Sequence, residues 1–224
     1  MILNEIQKQE IADYVKSVTR YRETYNEVYD HVLSALEQEA QDSFHLSLAE
    51  EVINTDFGGR KQIFEGEDNT RQALYGSFSR MLKQEILNTF KFPAVLHNFS
   101  LLGLGLVFYF GEANSEAIVS VTIIGTLIAV LIPLLLFVYK SYIRDRRQAK
   151  PSISDYALRY NALFGLNTAT CVFYLCFAWD AMIALEPGIL VAIMWTAYFF
   201  SSIFLRAFMK MYNSALKLKL QPAP

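Results

Sequence analysis

Four long apolar runs fill the second half of the chain and constrain its fold more than any other feature. They span residues 92–110, 117–139, 162–183 and 189–208. A bilayer core about 30 Å thick requires about 20 apolar residues in helical conformation. Backbone amides in lipid must be paired within the segment, which favours a helix for every run. We therefore predict a four-helix transmembrane region over residues 93–208, followed by a tail over residues 209–224.

The basic residues are distributed in a way that predicts the orientation of these runs. Residues 1–92 hold 16 acidic and 10 basic residues, and the rest of the chain holds 6 acidic and 10 basic residues. The connections at residues 111–116 and 184–188 contain no Lys or Arg, whereas the connection at residues 140–161 contains six. By the positive-inside rule, every Lys and Arg lies on the cytoplasmic side. The pattern predicts an integral membrane protein with both termini in the cytoplasm.

The segment before the first run has the pattern of a small helical domain. Apolar residues at helical spacing predict helices over residues 4–18 and 20–41. The pair at Ser47 and Glu50 fits a capping box at the start of a third helix. Residues 1–68 are therefore predicted to form a cytosolic three-helix domain.

The remainder of this segment leads into the first apolar run. Gly58-Gly59 offers a left-handed helix stop and opens a polar connection that ends at Asp68. Residues 69–92 carry an apolar residue at every fourth position from Leu74 onward, which predicts an amphipathic connecting helix. Pro93 lacks an amide proton and clashes with the preceding turn, so we expect a kink or break there. The predicted fold class is all-α, with a small cytosolic helical domain and a four-helix transmembrane bundle.

Short stretches of the first domain resemble a known family. They are Tyr29–Val32, Leu36-Glu37, Ser47–Val52 and Phe57–Gly59. Over roughly residues 1–60 the chain resembles the HAAS family, a compact cytosolic helical module that precedes several membrane helices. The resemblance implies a signalling or regulatory role and a bacterial inner membrane as the location.

Polar residues within the runs form the first set of candidate site residues. They are His97, Asn98, Asn167, Thr168 and Asp180. A polar or ionisable side chain in a membrane helix is a functional-site hypothesis, because leaving it in lipid is costly. The competing interpretation is structural, since hydroxyls and amides also bridge packed helices and residues near a helix end can reach water.

A basic cluster in the middle connection forms the second set. It consists of Arg144, Arg146, Arg147 and Lys150. Each basic residue near a membrane surface contributes about 1 kcal/mol of attraction to anionic lipid. The cluster is predicted to contact anionic lipid, although its role in setting topology is sufficient to explain it.

No catalytic, cofactor or metal site is predicted. The three histidines have no metal-ligand spacing, and no catalytic motif occurs in the sequence. A net charge of −2 and the lack of a basic run with interleaved aromatics argue against a nucleic-acid partner.

The predicted function is that of a membrane protein in which residues 1–92 form a regulatory or protein-interaction module. Its expected partners are membrane lipids and a cytosolic protein, and a homo-oligomer is left open. The alternative is a small transporter or channel component with a polar route along the third and fourth runs.

Overall fold

The regular structure in the described part of the chain is helical. The computed structural model describes residues 3–38, 44–111, 115–139, 150–156, 158–163 and 186–220. These residues contain helices and no strand, which confirms the predicted all-α class. The chain divides into two compact units. Of the described residues, the first unit holds those up to Tyr75 and residues 150–156, and the second holds the others.

The first unit is built on three helices and the beginning of a fourth. They are α1 (Glu5–Val18), α2 (Arg22–Gln38), α3 (Leu46–Asp56) and the start of α4 (Gly59–Asn88). Fully buried apolar side chains from each of the first three helices form one core; they include Ile11, Val15, Val28, Val32, Leu36 and Ile53. Because these residues recur three or four positions apart within each helix, one face of every helix is buried.

The start of α3 differs from the prediction. The helix begins at Leu46 with His45 as its N-cap residue, and no side chain caps it. The amide of Leu48 already donates to the His45 carbonyl at 3.0 Å, so Ser47 lies inside the first turn and the Ser47–Glu50 capping box does not form. The end of α3 follows the prediction, because Gly58 and Gly59 both have positive φ.

Helix α4 also corrects the sequence interpretation. It runs without interruption from Gly59 to Asn88, so the polar connection expected up to Asp68 is helical and the predicted domain boundary at residue 68 lies inside a helix. Ile63 is 5% exposed and belongs to the core of the first unit. The first half of α4 therefore contributes to the core of the first unit through Ile63.

The second unit contains the apolar helices. After the end of α4 come α5 (Ala94–Phe110), α6 (Ser115–Val138) and α7 (Pro187–Leu220), and α7 packs against both α5 and α6. The break expected at Pro93 is confirmed, because α4 ends at Asn88 and α5 begins at Ala94. Phe78 and Leu82 of α4 are buried, as the four-residue spacing predicted.

Two of the helices in the second unit are long and apolar enough to cross a membrane by length and composition. They are the stretches Glu116–Leu136 and Pro187–Ser214, which match the second and fourth predicted runs. The first run corresponds to α5, an apolar helix of 17 residues. The third run lies outside the described residues apart from positions 162 and 163.

The predicted tail, residues 209–224, is largely helical. Helix α7 continues through residues 209–220, so most of this segment is an extension of the last apolar helix. Met211 is fully buried, which gives the extension a packed face.

Candidate functional site

Asn98 is the predicted site residue that the structure places in a defined polar contact. Its side chain is 2% exposed although α5 is otherwise apolar. Asn98 Nδ2 donates to the backbone carbonyl of Thr89 at 2.9 Å, and its Oδ1 accepts a hydrogen bond from Arg206 Nη2. The amide therefore uses both ends of its side chain, as a buried amide must.

The Thr89 carbonyl lies where α4 has just ended. The last carbonyls of a helix have no partner within that helix, so they must bond elsewhere. Thr89 is itself buried, and its hydroxyl donates to the Ile86 carbonyl at 2.7 Å. Asn98 thus caps the end of α4 from the second turn of α5.

Arg206 completes this cluster from α7. Its side chain turns back toward the N-terminal end of the helix, with Nε donating to the Ser202 carbonyl at 3.3 Å. One of its terminal nitrogens, Nη2, donates to Asn98 Oδ1. We call Thr89, Asn98 and Arg206 the amide–arginine cluster.

The packing of α5 on α7 supports the cluster. Trp195 Nε1 donates to the Leu101 carbonyl at 3.0 Å. An added Cβ on Gly105 would lie 2.3 Å from the indole of Trp195, so only glycine allows this approach. These contacts fix the two helices against each other within one to two turns of Asn98.

The other predicted membrane residues do not join this cluster. His97 is exposed and faces away from the side of α5 on which Asn98 is buried. Asn167, Thr168 and Asp180 lie outside the described residues. Of the predicted membrane residues that the structure describes, Asn98 takes part in the cluster and His97 does not, and the partners Thr89 and Arg206 come from the structure.

Replacing Asn98 with alanine is expected to destabilise the second unit by about 1–2 kcal/mol, because the Thr89 carbonyl loses its side-chain donor and the half-buried guanidinium of Arg206 loses one of its two described acceptors. Thermal unfolding of the full chain in detergent, followed by circular dichroism, measures the loss. His97→Ala is the matched control and should leave the melting temperature unchanged. Equal effects of the two substitutions would contradict the structural role of Asn98.

Lys150, from the predicted basic cluster, has a specific place in the first unit. Its Nζ donates to the Lys16 carbonyl at 2.7 Å, to the Thr19 hydroxyl at 2.8 Å and to the Thr19 carbonyl. A cation at the C-terminal end of a helix interacts favourably with the helix dipole. The three donors of the ammonium group are thus used at the end of α1. Arg144, Arg146 and Arg147 lie outside the described residues.

Residues next to Lys150 cap the start of α2. The Arg22 amide donates to the Pro151 carbonyl at 3.0 Å. The Glu23 carboxylate accepts hydrogen bonds from the Ser152 hydroxyl and from the Ile153 amide, the latter at 3.1 Å. The segment 150–156 is therefore hydrogen-bonded to the turn between α1 and α2.

A cavity of about 360 Å³ lies beside this junction. Among the charged residues of its lining, three are basic, Lys16, Arg22 and Lys150, and one is acidic, Asp13. Burial lowers the pKa of Lys150; Glu67 opposes this shift and Lys16 adds to it. The cavity has room for a small group of atoms.

Replacing Lys150 with methionine is expected to destabilise the first unit by about 1–2 kcal/mol, because acceptors at the end of α1 lose a cationic donor. Hydrogen exchange of the full chain, measured by mass spectrometry, should show faster exchange at the end of α1. Lys8→Met serves as the control, since Lys8 lies near the other end of α1, where its ammonium group pairs with exposed Glu5 at 3.3 Å. An equal change in exchange for both variants would argue against the capping role.

Within the part of the chain that the structure describes, no group of three His, Cys, Asp or Glu residues is arranged to hold a metal ion.

Comparison with protein-family models, with curated proteins and with solved structures finds no match to this chain. The resemblance of residues 1–60 to the HAAS family therefore stays a prediction.

Proposed function

We propose that this chain is an integral membrane protein whose N-terminal helical unit acts at the cytoplasmic face as a regulatory or protein-interaction module. The observation that carries the proposal is the outward surface of the apolar helices. Only 33% of each membrane-length window in α6 and α7 is buried. The central helix of a soluble domain would instead be mostly buried, because water disfavours large apolar patches.

The side chains on this surface are large and apolar. Exposed examples are Phe99, Leu106 and Phe110 in α5, Ile124, Leu131 and Leu135 in α6, and Phe200 in α7. Three polar groups lie on the inner side, where Asn98, Thr122 and Thr126 are buried and hydrogen-bonded. Apolar residues outside and hydrogen-bonded polar residues inside suit a lipid environment.

Two features of the first unit support the interaction role. Its apolar core is formed by its own helices, which is typical of a domain that presents its surface to other molecules. The basic cavity beside Lys150 offers a concave polar surface. The HAAS resemblance of residues 1–60 points to the same signalling class.

Membrane insertion and orientation can be tested together. In a Cys171→Ser, Cys176→Ser background, the full chain should stay in the pellet after alkaline carbonate extraction. A membrane-impermeant thiol reagent should label Glu116→Cys in intact cells and should not label Lys210→Cys. Release by carbonate would refute the membrane proposal, and the reverse labelling pattern would refute the orientation.

The interaction role needs a separate experiment. The full chain is cross-linked in cells and purified, beside a Leu36→Asp variant in which a charge enters the core of the first unit. We expect a defined partner that cross-links to wild type and is lost with Leu36→Asp. A set of cross-linked proteins that is identical for the two chains would refute the interaction role.

The transporter alternative is favoured by one observation. The hydroxyl of Ser201 is buried in α7 and has no hydrogen-bond partner among the described residues. A polar route along α7 would use such a group. Liposome flux that is abolished by Asn167→Ala or Thr168→Ala would select this alternative over the interaction module.

A further inference from the structure

The guanidinium of Arg206 has more donors than its described contacts use. A guanidinium carries five N–H groups in a planar fork. One bonds to the Ser202 carbonyl and one to the Asn98 amide oxygen. Both acceptors are neutral, and no ion pair within the described ranges includes Arg206. The positive charge is held in place by hydrogen bonds that do not neutralise it.

The depth of the Arg206 charge in the membrane is inferred from the position of Asn98 along α5. At about 1.5 Å per residue, Asn98 lies about 6 Å from the start of α5. Its side chain reaches back to the carbonyl of Thr89, which precedes α5. In the proposed orientation this is the cytoplasmic end of α5, which would place the cluster near the headgroups of the inner leaflet.

We propose that Arg206, oriented by Asn98, binds the headgroup phosphate of an anionic phospholipid of the inner leaflet. The inference rests on the proposed function, because it requires α5 and α7 to lie in a bilayer. The free N–H groups of a guanidinium can donate side by side to two oxygens of one phosphate. A half-buried cation also requires a compensating charge, since its own hydration is reduced.

The net charge of the headgroup provides the selectivity. A zwitterionic headgroup carries its own ammonium group, so its phosphate is already neutralised. An anionic headgroup such as that of phosphatidylglycerol has no ammonium group, so its negative charge can balance the positive charge of Arg206. Asn98 contributes by fixing the direction of the guanidinium, which reduces the entropy lost when the phosphate binds.

Native mass spectrometry of the full chain in detergent tests the inference. The protein is mixed with phosphatidylglycerol or phosphatidylcholine at matched concentrations, and retained lipid is counted. We expect wild type to retain phosphatidylglycerol about tenfold better, as charge-assisted bidentate hydrogen bonds imply. Arg206→Gln should abolish this preference, and Arg206→Lys should reduce it at least about threefold because lysine lacks the fork.

Lys210→Gln is the matched control, since Lys210 is an exposed cation one turn further along α7. It should leave the preference unchanged. Circular dichroism verifies that each variant retains its helices, and the Lys variant decides the question if the Gln variant does not fold. Equal preference in wild type and Arg206→Lys, or an equal loss with Lys210→Gln, would overturn the inference.

Failure of the inference is distinguishable from failure of the proposed function. A chain that stays in the carbonate pellet but shows no preference for phosphatidylglycerol overturns the lipid site alone. A chain that carbonate releases overturns the membrane assignment and the lipid site with it.

Discussion

Replacing Glu67 with alanine is expected to destabilise the first unit by about 2–4 kcal/mol, because the backbone amides of Arg20 and Tyr21 lose the acceptor that they have among the described residues. Glu67 is 2% exposed and lies in α4. Its Oε1 accepts from the amides of Arg20 and Tyr21, at 2.9 and 3.2 Å, in the turn between α1 and α2. Hydrogen exchange of the full chain should therefore accelerate across this turn and at the start of α2.

Two further variants make the Glu67 prediction specific. Glu65→Ala removes the same side chain from an exposed position of the same helix, where Glu65 forms a 3.9 Å ion pair with Lys61. It should change stability by less than about 0.5 kcal/mol. Glu67→Gln retains an acceptor oxygen and should cost less than Glu67→Ala. A Glu67→Ala variant with unchanged exchange at Tyr21 would show that other acceptors serve these amides.

Glu67 also explains why the course of α4 was only partly predictable. The inward positions of its first half include Ile63, Glu67 and Arg71, of which two are charged. An interpretation based on hydrophobic periodicity takes charged residues as solvent-facing. It therefore predicts a domain boundary at residue 68. The later positions Phe78 and Leu82 are apolar, and there the periodicity gave the buried face correctly.

The candidate site shows the same limit of sequence reasoning. Asn98 could be recognised because an amide inside an apolar run is unusual. Its partner Arg206 is 108 residues away, and only the packing of α7 on α5 brings the two together. Lys150 was assigned to a lipid contact from its basic neighbours, whereas its hydrogen bonds are to residues more than 130 positions earlier. Contacts at such separation leave no local pattern in one sequence.

Replacing Gly105 with leucine is expected to separate α5 from α7, at a cost of about 3 kcal/mol or more. Even the first added carbon would lie 2.3 Å from the indole of Trp195. The indole has little freedom to move, since it is 9% exposed, donates to the Leu101 carbonyl at 3.0 Å and packs edge-on against Phe108 at 5.2 Å. In a Trp179→Phe background, the fluorescence of Trp195 should shift and the melting temperature should fall.

Gly103→Leu provides a control on the same helix. A Cβ at Gly103 meets no atom within 4 Å, so the side chain would extend from the exposed face of α5. Because leucine favours a helix over glycine by up to about 1 kcal/mol, this variant should be as stable as wild type or more stable. Similar losses at Gly103 and Gly105 would mean that α5 tolerates no added volume on either face. A loss confined to Gly105 locates the close approach at Trp195, on which the geometry of the amide–arginine cluster depends.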